Sequence, residues 1–310
     1  MTGNRGIISN GSNNNFSNNA IGEHAKVLGG AAPSHLGDAS GGDGSGSDPT
    51  STWDIGVVTI LSDELRAVVE ELDLRRHKDP GGLYFYRGSL TTPDSTVRVV
   101  ATQSQSQGQR SAMAALENLH RHYAPRLWAM VGVGGGIDTE RARIGNVIVS
   151  TDVVYYENRK INPHGDIRRR GEHRQAPAPV VHAANAFFAE NGMPAHLHRR
   201  LRSGAPEEFD VHQGLIGSGE AVIADRDSEI RHYLKGYHEK VLAVDMEAGG
   251  LSQYWQEHSV HGAENPGWIV IRGVSDNADE KKGHEYHALA ARNAAHVLRE
   301  LLPFICSPRP

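Results

Sequence analysis

Three acidic residues stand two or three positions after apolar runs of strand length. Glu64 comes after D-I-G-V-V-T-I-L (54–61), Glu247 after V-L-A-V-D (241–245), and Asp276 after W-I-V-I-R-G-V (268–274). A fourth run, L-W-A-M-V-G-V (127–133), ends in Gly134-Gly135-Gly136. If these runs are strands of a parallel sheet, ligands bind at their carboxyl ends. Three carboxylates and a glycine turn then share one rim. Such a group suits acid/base work. With no arginine matched to it at the rim, it suits a neutral or hydroxyl-rich part of a substrate. Each acid alone has a plainer account, because the first turn of a helix favours negative charge. V-G-V-G-G-G lacks both the G-x-G-x-x-G spacing and the G-K-[ST] ending, so it supports neither a dinucleotide fold nor a P-loop. Three acids at three strand ends are harder to set aside than any one of them.

The elements that must position these residues can be read from periodicity. Strand 54–61 leads into a helix from Ser62 that carries Leu65, Val68, Val69 and Leu72 on one face. Residues 84–90 and 96–102 read as an antiparallel pair, and a helix over about 109–122 enters strand 127–133. Residues 146–155 read as one strand, followed by a polar, arginine-rich connection to about 175 and a helix over 177–190. Strands 214–218 and 241–245, a helix through Tyr254, strand 268–274 and a last helix over about 284–302 complete the series. Strands that are apolar throughout and alternate with helices are covered on both faces. The expectation is a single three-layer α/β domain over 53–305, with a central mixed, mainly parallel sheet.

Residues 1–52 differ in character. They hold 11 Gly, 8 Ser and 7 Asn and one aromatic residue, Phe16, which predicts a disordered tail unable to bury enough apolar area to offset its conformational entropy. The full chain has 310 residues, 37 acidic and 32 basic, for a formal net charge of −5. That balance argues against a nucleic-acid partner, which requires a basic face. One cysteine, Cys306, excludes a disulfide framework and a thiolate zinc site. The histidine pairs His120/His122, His196/His198 and His284/His287 lack the carboxylate or thiolate company of a metal centre, so neither a metal nor a cofactor is expected. No apolar run reaches the ~20 residues of a membrane helix, and no secretory signal opens the chain. A cytoplasmic protein is expected, with no membrane partner.

The motifs G-V-V-T-I-L-S-D-E-L, V-G-V-G-G-G-I…I-G-N-V-I-V-S, Q-G-L-I-G-S-G-E-A-V-I, A-V-D-M-E-A and V-I-R-G-V-S-D-N-A-D occur in that order over nearly all of 54–303. Together they resemble the purine nucleoside phosphorylase superfamily and, within it, the methylthioadenosine/S-adenosylhomocysteine nucleosidases. The resemblance implies cleavage of a purine–ribose bond through an oxocarbenium-like transition state. Asp276 takes the position of the general acid that protonates the leaving purine, with Ser275 orienting it. Glu247 would accept the ribose hydroxyls and favour the developing positive charge, and Glu64 would activate water, a division of labour shared with glycoside hydrolysis. Met246, Gly134, Gly135, Val222 and Ile223 are the implied substrate-binding residues. The implied partner is a small purine nucleoside or nucleotide, and the implied assembly a homo-oligomer.

Departures from the family pattern bear on the reaction. Phosphorylases hold phosphate with an arginine before the glycine turn and a serine within it; here those positions are Met130 and Val133, which favours water as the acceptor. The nucleosidases stack the purine on a phenylalanine where this chain has Val222, so the stacking partner is sought elsewhere, at Tyr155 or Tyr156. The connection over 158–175 carries Arg168, Arg169 and Arg170 among other basic residues. It reads as a solvated loop or, more sharply, as a clamp for a nucleotide's phosphates. The ending G-V-S-D-N-A-D-E-K-K-G-H-E-Y-H resembles nucleosidase modules attached to stress and defence proteins, some of which attack ATP. The readings left open are a nucleoside hydrolase, an ATP or AMP nucleosidase acting as a stress or antiphage defence effector with a partner reached through the tail, a phosphate-dependent phosphorylase, and a non-catalytic nucleoside-binding module.

Overall fold

The computed structural model describes residues 53–200, 206–259, 267–280 and 283–306; the expected tail over 1–52 lies outside them. Continuous apolar runs become the innermost strands. β1 (Ile55–Thr59) is buried along its whole length and pairs in parallel with β4 (Thr96–Gln103) and β5 (Leu127–Gly136). β5 also runs parallel to β15 (Gly267–Asp276), Leu127 to Gly135 against Gly267 to Asp276. These registers carry the ends of β1, β5 and β15 to one rim.

The predicted strand 146–155 breaks in two. β6 (Val147–Ser150) pairs with β15, and β7 (Asp152–Tyr155) pairs with β13 (Leu215–Ser218). The break has a local cause. The Ser150 hydroxyl donates to the Asp152 carbonyl at 2.6 Å and accepts from its N–H at 3.2 Å, so a side chain replaces ladder bonds at the bend. β13 pairs in parallel with β14 (Val241–Asp245), which returns antiparallel to β5 at Gly135 and Gly136. From β5 through β15 and β6, across Thr151 to β7, β13 and β14, the pairings come back to β5.

Polar elements escaped the sequence reading. The 158–175 connection is not a loop: β8 (Arg159–Ile161) and β9 (Ile167–Arg169) form a separate hairpin, and β10 (Glu172–Gln175) edges the main sheet beside β7. β2 (Arg75–Lys78) adds to β3 (Tyr84–Thr91) at the other edge. β11 (Ala195–Arg200) and β12 (Pro206–Gln213) extend from β6. Charged side chains suit such exposed edges and erase the apolar signal.

α1 (Ser62–Glu71), α3 (Ala178–Asn191) and α6 (His287–Ile305) pack together, while α2 (Gln109–Tyr123) packs with α5 (Ala248–His258). The contact of α6 with β15 is backbone on backbone, since a Cβ at Gly273 would collide with the Ala290 carbonyl. α4 (Glu229–Tyr237), also unforeseen, precedes β14 and is capped by the Ser228 hydroxyl. No described helix is long and apolar enough to cross a membrane.

Candidate active site

The three acids meet. Glu64, Glu247 and Asp276 line one cavity of about 410 Å³, together with Gly134 and Gly135 of β5, Val222 and Ile223 from the connection after β13, and Met246 and Ser275. His284 and His287, at the entry to α6, line it too. The positions that the family resemblance implied for the substrate, Glu247, Met246, Ser275, Gly134, Gly135, Val222 and Ile223, therefore lie on the cavity wall.

Glu64 is 2 % exposed. Its Oε2 accepts from the N–H groups of Ile60 (2.7 Å) and Leu61 (2.8 Å), and its Oε1 from that of Val133 (2.8 Å). The plain account of this residue is thus also true: it caps the start of α1, and at the same time ties that helix to β5, whose Gly134–Gly136 continue the strand instead of forming the expected turn. Burial raises its pKa, against the opposing pull of the Arg272 guanidinium and of those three backbone donors.

Glu247 closes β14 and begins α5. Its Oε1 accepts from the Gly108 N–H at 3.0 Å, and its Oε2 from Arg272 Nη2 at 3.0 Å. Burial, opposed chiefly by Arg272, pushes its pKa up from 4.5 to about 7. Asp276 is 4 % exposed. The Ser275 hydroxyl donates to its Oδ2 at 2.9 Å, and the Ala278 N–H to its Oδ1 at 2.9 Å.

The expectation that no arginine matches these carboxylates is corrected one layer beneath the rim. Arg272, fully buried in β15, donates from Nε (2.9 Å) and Nη2 (2.6 Å) to Asp245 Oδ2 as well as to Glu247. Asp245 in turn accepts from the Ser218 hydroxyl at 2.6 Å and from the Ala248 N–H at the head of α5. The mutual attraction of this buried group holds the arginine charged, its pKa raised by Asp245, Glu247 and Glu64 against desolvation. Gly132 leaves the space in which the Arg272 and Glu64 side chains sit, for a Cβ there would collide with both. The sequence did hold a signal: Arg272 interrupts an otherwise apolar strand, and a buried charge requires partners.

Other expected residues lie elsewhere. Arg168 and Arg170 are exposed on the hairpin side, and Arg169 is occupied by Glu229 (3.1 Å) and the Tyr156 carbonyl (3.1 Å). None of the three lines the cavity. Neither Tyr155 nor Tyr156 lines it; Tyr156 is wholly buried against Gly219. Val222 is 54 % exposed at the wall and offers no aromatic face. Met130, at the position of the phosphorylase arginine, is buried in the core. Among the described residues no group of three histidine, cysteine or acidic side chains is disposed to hold a metal.

A fold of this topology, with acids gathered at its strand ends, defines a class, and the family model of the phosphorylase superfamily matches residues 54–303. The chain belongs to that superfamily. It is 26% identical over 262 residues to the ATP nucleosidase Cap17 of Escherichia coli, a match covering 79% of this chain and 50% of that protein, so the chain spans about half the length of that relative. It is also 26% identical over 249 residues to a 5′-methylthioadenosine/S-adenosylhomocysteine nucleosidase of Exiguobacterium, covering 79% of this chain and 95% of that one. Its fold is that of the Neisseria meningitidis 5′-methylthioadenosine/S-adenosylhomocysteine nucleosidase crystallised with methylthio-immucillin-A (TM-score 0.59, 22% identity, 80% and 98% coverage). The futalosine hydrolase of Helicobacter pylori shares it (TM-score 0.61, 17% identity, 81% and 97% coverage).

Proposed function

We propose that this protein hydrolyses the N-ribosidic bond of a purine nucleoside or nucleotide and releases the free base. The observation that carries the reading is the meeting of Glu64, Glu247 and Asp276 in one cavity at the carboxyl ends of β1, β14 and β15. The bond from the anomeric carbon to the purine breaks with its electron pair passing to the base. Asp276 supplies a proton to the imidazole ring of the leaving purine. The Ala278 N–H can only donate, which fixes Oδ1 as an acceptor and assigns the transferable proton to Oδ2, where the Ser275 hydroxyl rotates to suit either state. Glu247 accepts the ribose hydroxyls, and its charge favours the oxocarbenium. Glu64 takes a proton from the attacking water, and a carboxylate raised by burial is the better base for it.

Water is favoured over phosphate as acceptor because Glu64 brings negative charge to the cavity and Met130 and Val133 cannot hold an anion. Retention of three acids in one cavity favours an enzyme over a non-catalytic binding module. A second reading, cleavage of adenine nucleotides, is supported by His284 and His287, the only basic side chains among the described residues lining the cavity, and by the likeness to a relative named as an ATP nucleosidase. A cytoplasmic homo-oligomer, and a stress or defence partner reached through residues 1–52, belong to the same proposal; sedimentation of the purified chain tests the oligomer.

Adenine release from methylthioadenosine, S-adenosylhomocysteine, adenosine, AMP and ATP in phosphate-free buffer tests the whole reading. Release from nucleosides establishes a nucleoside hydrolase, and release from ATP or AMP alone establishes the nucleotide reading. Release only on adding phosphate overturns hydrolysis in favour of phosphorolysis.

A further inference from the structure

Arg231, in α4, is 2 % exposed and stands outside the cavity wall. Asp279, Glu280 and Asp227 attract it, yet its hydrogen bonds go to backbone carbonyls. Nη1 donates to Asn277 O at 2.5 Å and Ala278 O at 3.0 Å, and Nη2 donates to Ile137 O at 3.3 Å. Taking a guanidinium out of water is costly, so what it holds matters.

Asn277 and Ala278 are the two residues that follow Asp276, and the Ala278 N–H is the donor to Asp276 Oδ1. Ala278 stands at φ +50°, a left-handed conformation unfavourable to an alanine because its Cβ crowds the following carbonyl. Ile137 directly follows β5, whose Gly135 is the ladder partner of Asp276. A Cβ on Gly135 would come within 2.9 Å of the Ala278 side chain. One guanidinium thus fastens both walls of the corner that contains the acid, and it offsets the strain of the turn.

We propose that Arg231 is a positioning residue for Asp276. It keeps Ala278 in the left-handed conformation that aims the N–H at Oδ1, and so keeps the proton-carrying Oδ2 directed at the base. The inference rests on the reading of Asp276 as the general acid.

Two substrates that share a free ribose separate this role from a merely structural one. Adenosine needs its leaving base protonated, whereas 4-nitrophenyl β-D-ribofuranoside releases a phenolate that leaves without a proton. In Arg231→Met, kcat for adenine release from adenosine is expected to fall about 10²-fold, the scale of a general-acid contribution. KM is expected to stay within about threefold and nitrophenolate release to stay near the wild-type rate. Arg231→Lys, which retains the charge and a donor, should recover part of the loss and carries the comparison if the methionine variant does not fold. Adding Ala278→Gly to Arg231→Met should also restore adenosine cleavage, because glycine adopts a positive φ without strain. Equal loss on both substrates, or no loss on either, overturns the proposal. Asp276→Asn serves as the reference. Loss confined to adenosine there, with unselective loss in the Arg231 variants, overturns this inference alone; equal loss on both substrates there overturns the acid assignment and this inference with it.

Discussion

At the scale of single residues, the site is a set of carboxylates whose different surroundings suit the different tasks proposed for them. Asp276 has one oxygen fixed by a backbone N–H and the other beside a hydroxyl. Asp276→Asn should lower adenine release by at least 10²-fold while nucleoside binding, followed by calorimetry, persists; normal turnover in that variant would falsify the acid role. Glu247 differs, because both of its oxygens are occupied and burial pushes its pKa to about 7. A group that must be ionised to steady positive charge loses that ability as the pH falls through its pKa. On the proposed reading, kcat/KM of the unsubstituted chain should therefore rise with pH on a limb centred near 7, and the residual activity of Glu247→Gln should lack that limb. Arg272 is the residue that makes the group possible, since Glu64, Asp245 and Glu247 could not be buried so close together without a central cation.

At the scale of elements, close approach of backbones decides where side chains arrive. α6 lies on β15 at Gly273, and the first residues of α6 reach the cavity wall at His287. Gly273→Ala would force the helix outward. An overpacking cost of about 1–3 kcal/mol is expected, read as a lower melting temperature, together with a raised KM. The hairpin that carries Arg168 and Arg170 lies off the cavity wall. Reversing both charges to glutamate should leave KM for adenosine and for AMP within about twofold, in the range of ordinary surface substitutions; a selective rise for AMP would restore the phosphate clamp. The Ser150 hydroxyl shows how one side chain redirects a strand, turning a ten-residue apolar run into two strands with different neighbours.

At the scale of the whole molecule, the same buried acids set how stability depends on pH. The folded chain keeps the Glu247 proton up to about pH 7, whereas the unfolded chain loses it near 4.5. The native state therefore binds more protons in between, and stability falls as the pH rises through that window. At 1.36 kcal/mol per unit the contribution is roughly 3 kcal/mol, present in full below pH 4.5 and gone above 7. Urea unfolding at pH 5 and pH 8 should show a smaller pH dependence in Glu247→Gln than in wild type. Much of this molecule was legible from its residues alone. The runs at 54–61, 127–133, 241–245 and 268–274 declared the inner strands, because strands covered on both faces must be apolar throughout. Their carboxyl ends then declared Glu64, Glu247 and Asp276. The edge strands were hidden because polar strands at a sheet's margin carry no apolar pattern, α4 because a charged Arg231 holds one of its buried positions, and the split at Thr151 because a single hydroxyl causes it. Only the tertiary structure placed Arg272 beneath the acids, Arg231 behind the Asp276 turn, and Arg168–Arg170 off the cavity wall. The physical reason is that apolar burial is a local, periodic property of the chain. A buried charge is instead satisfied by partners far away in sequence, and only the assembled sheet brings them together.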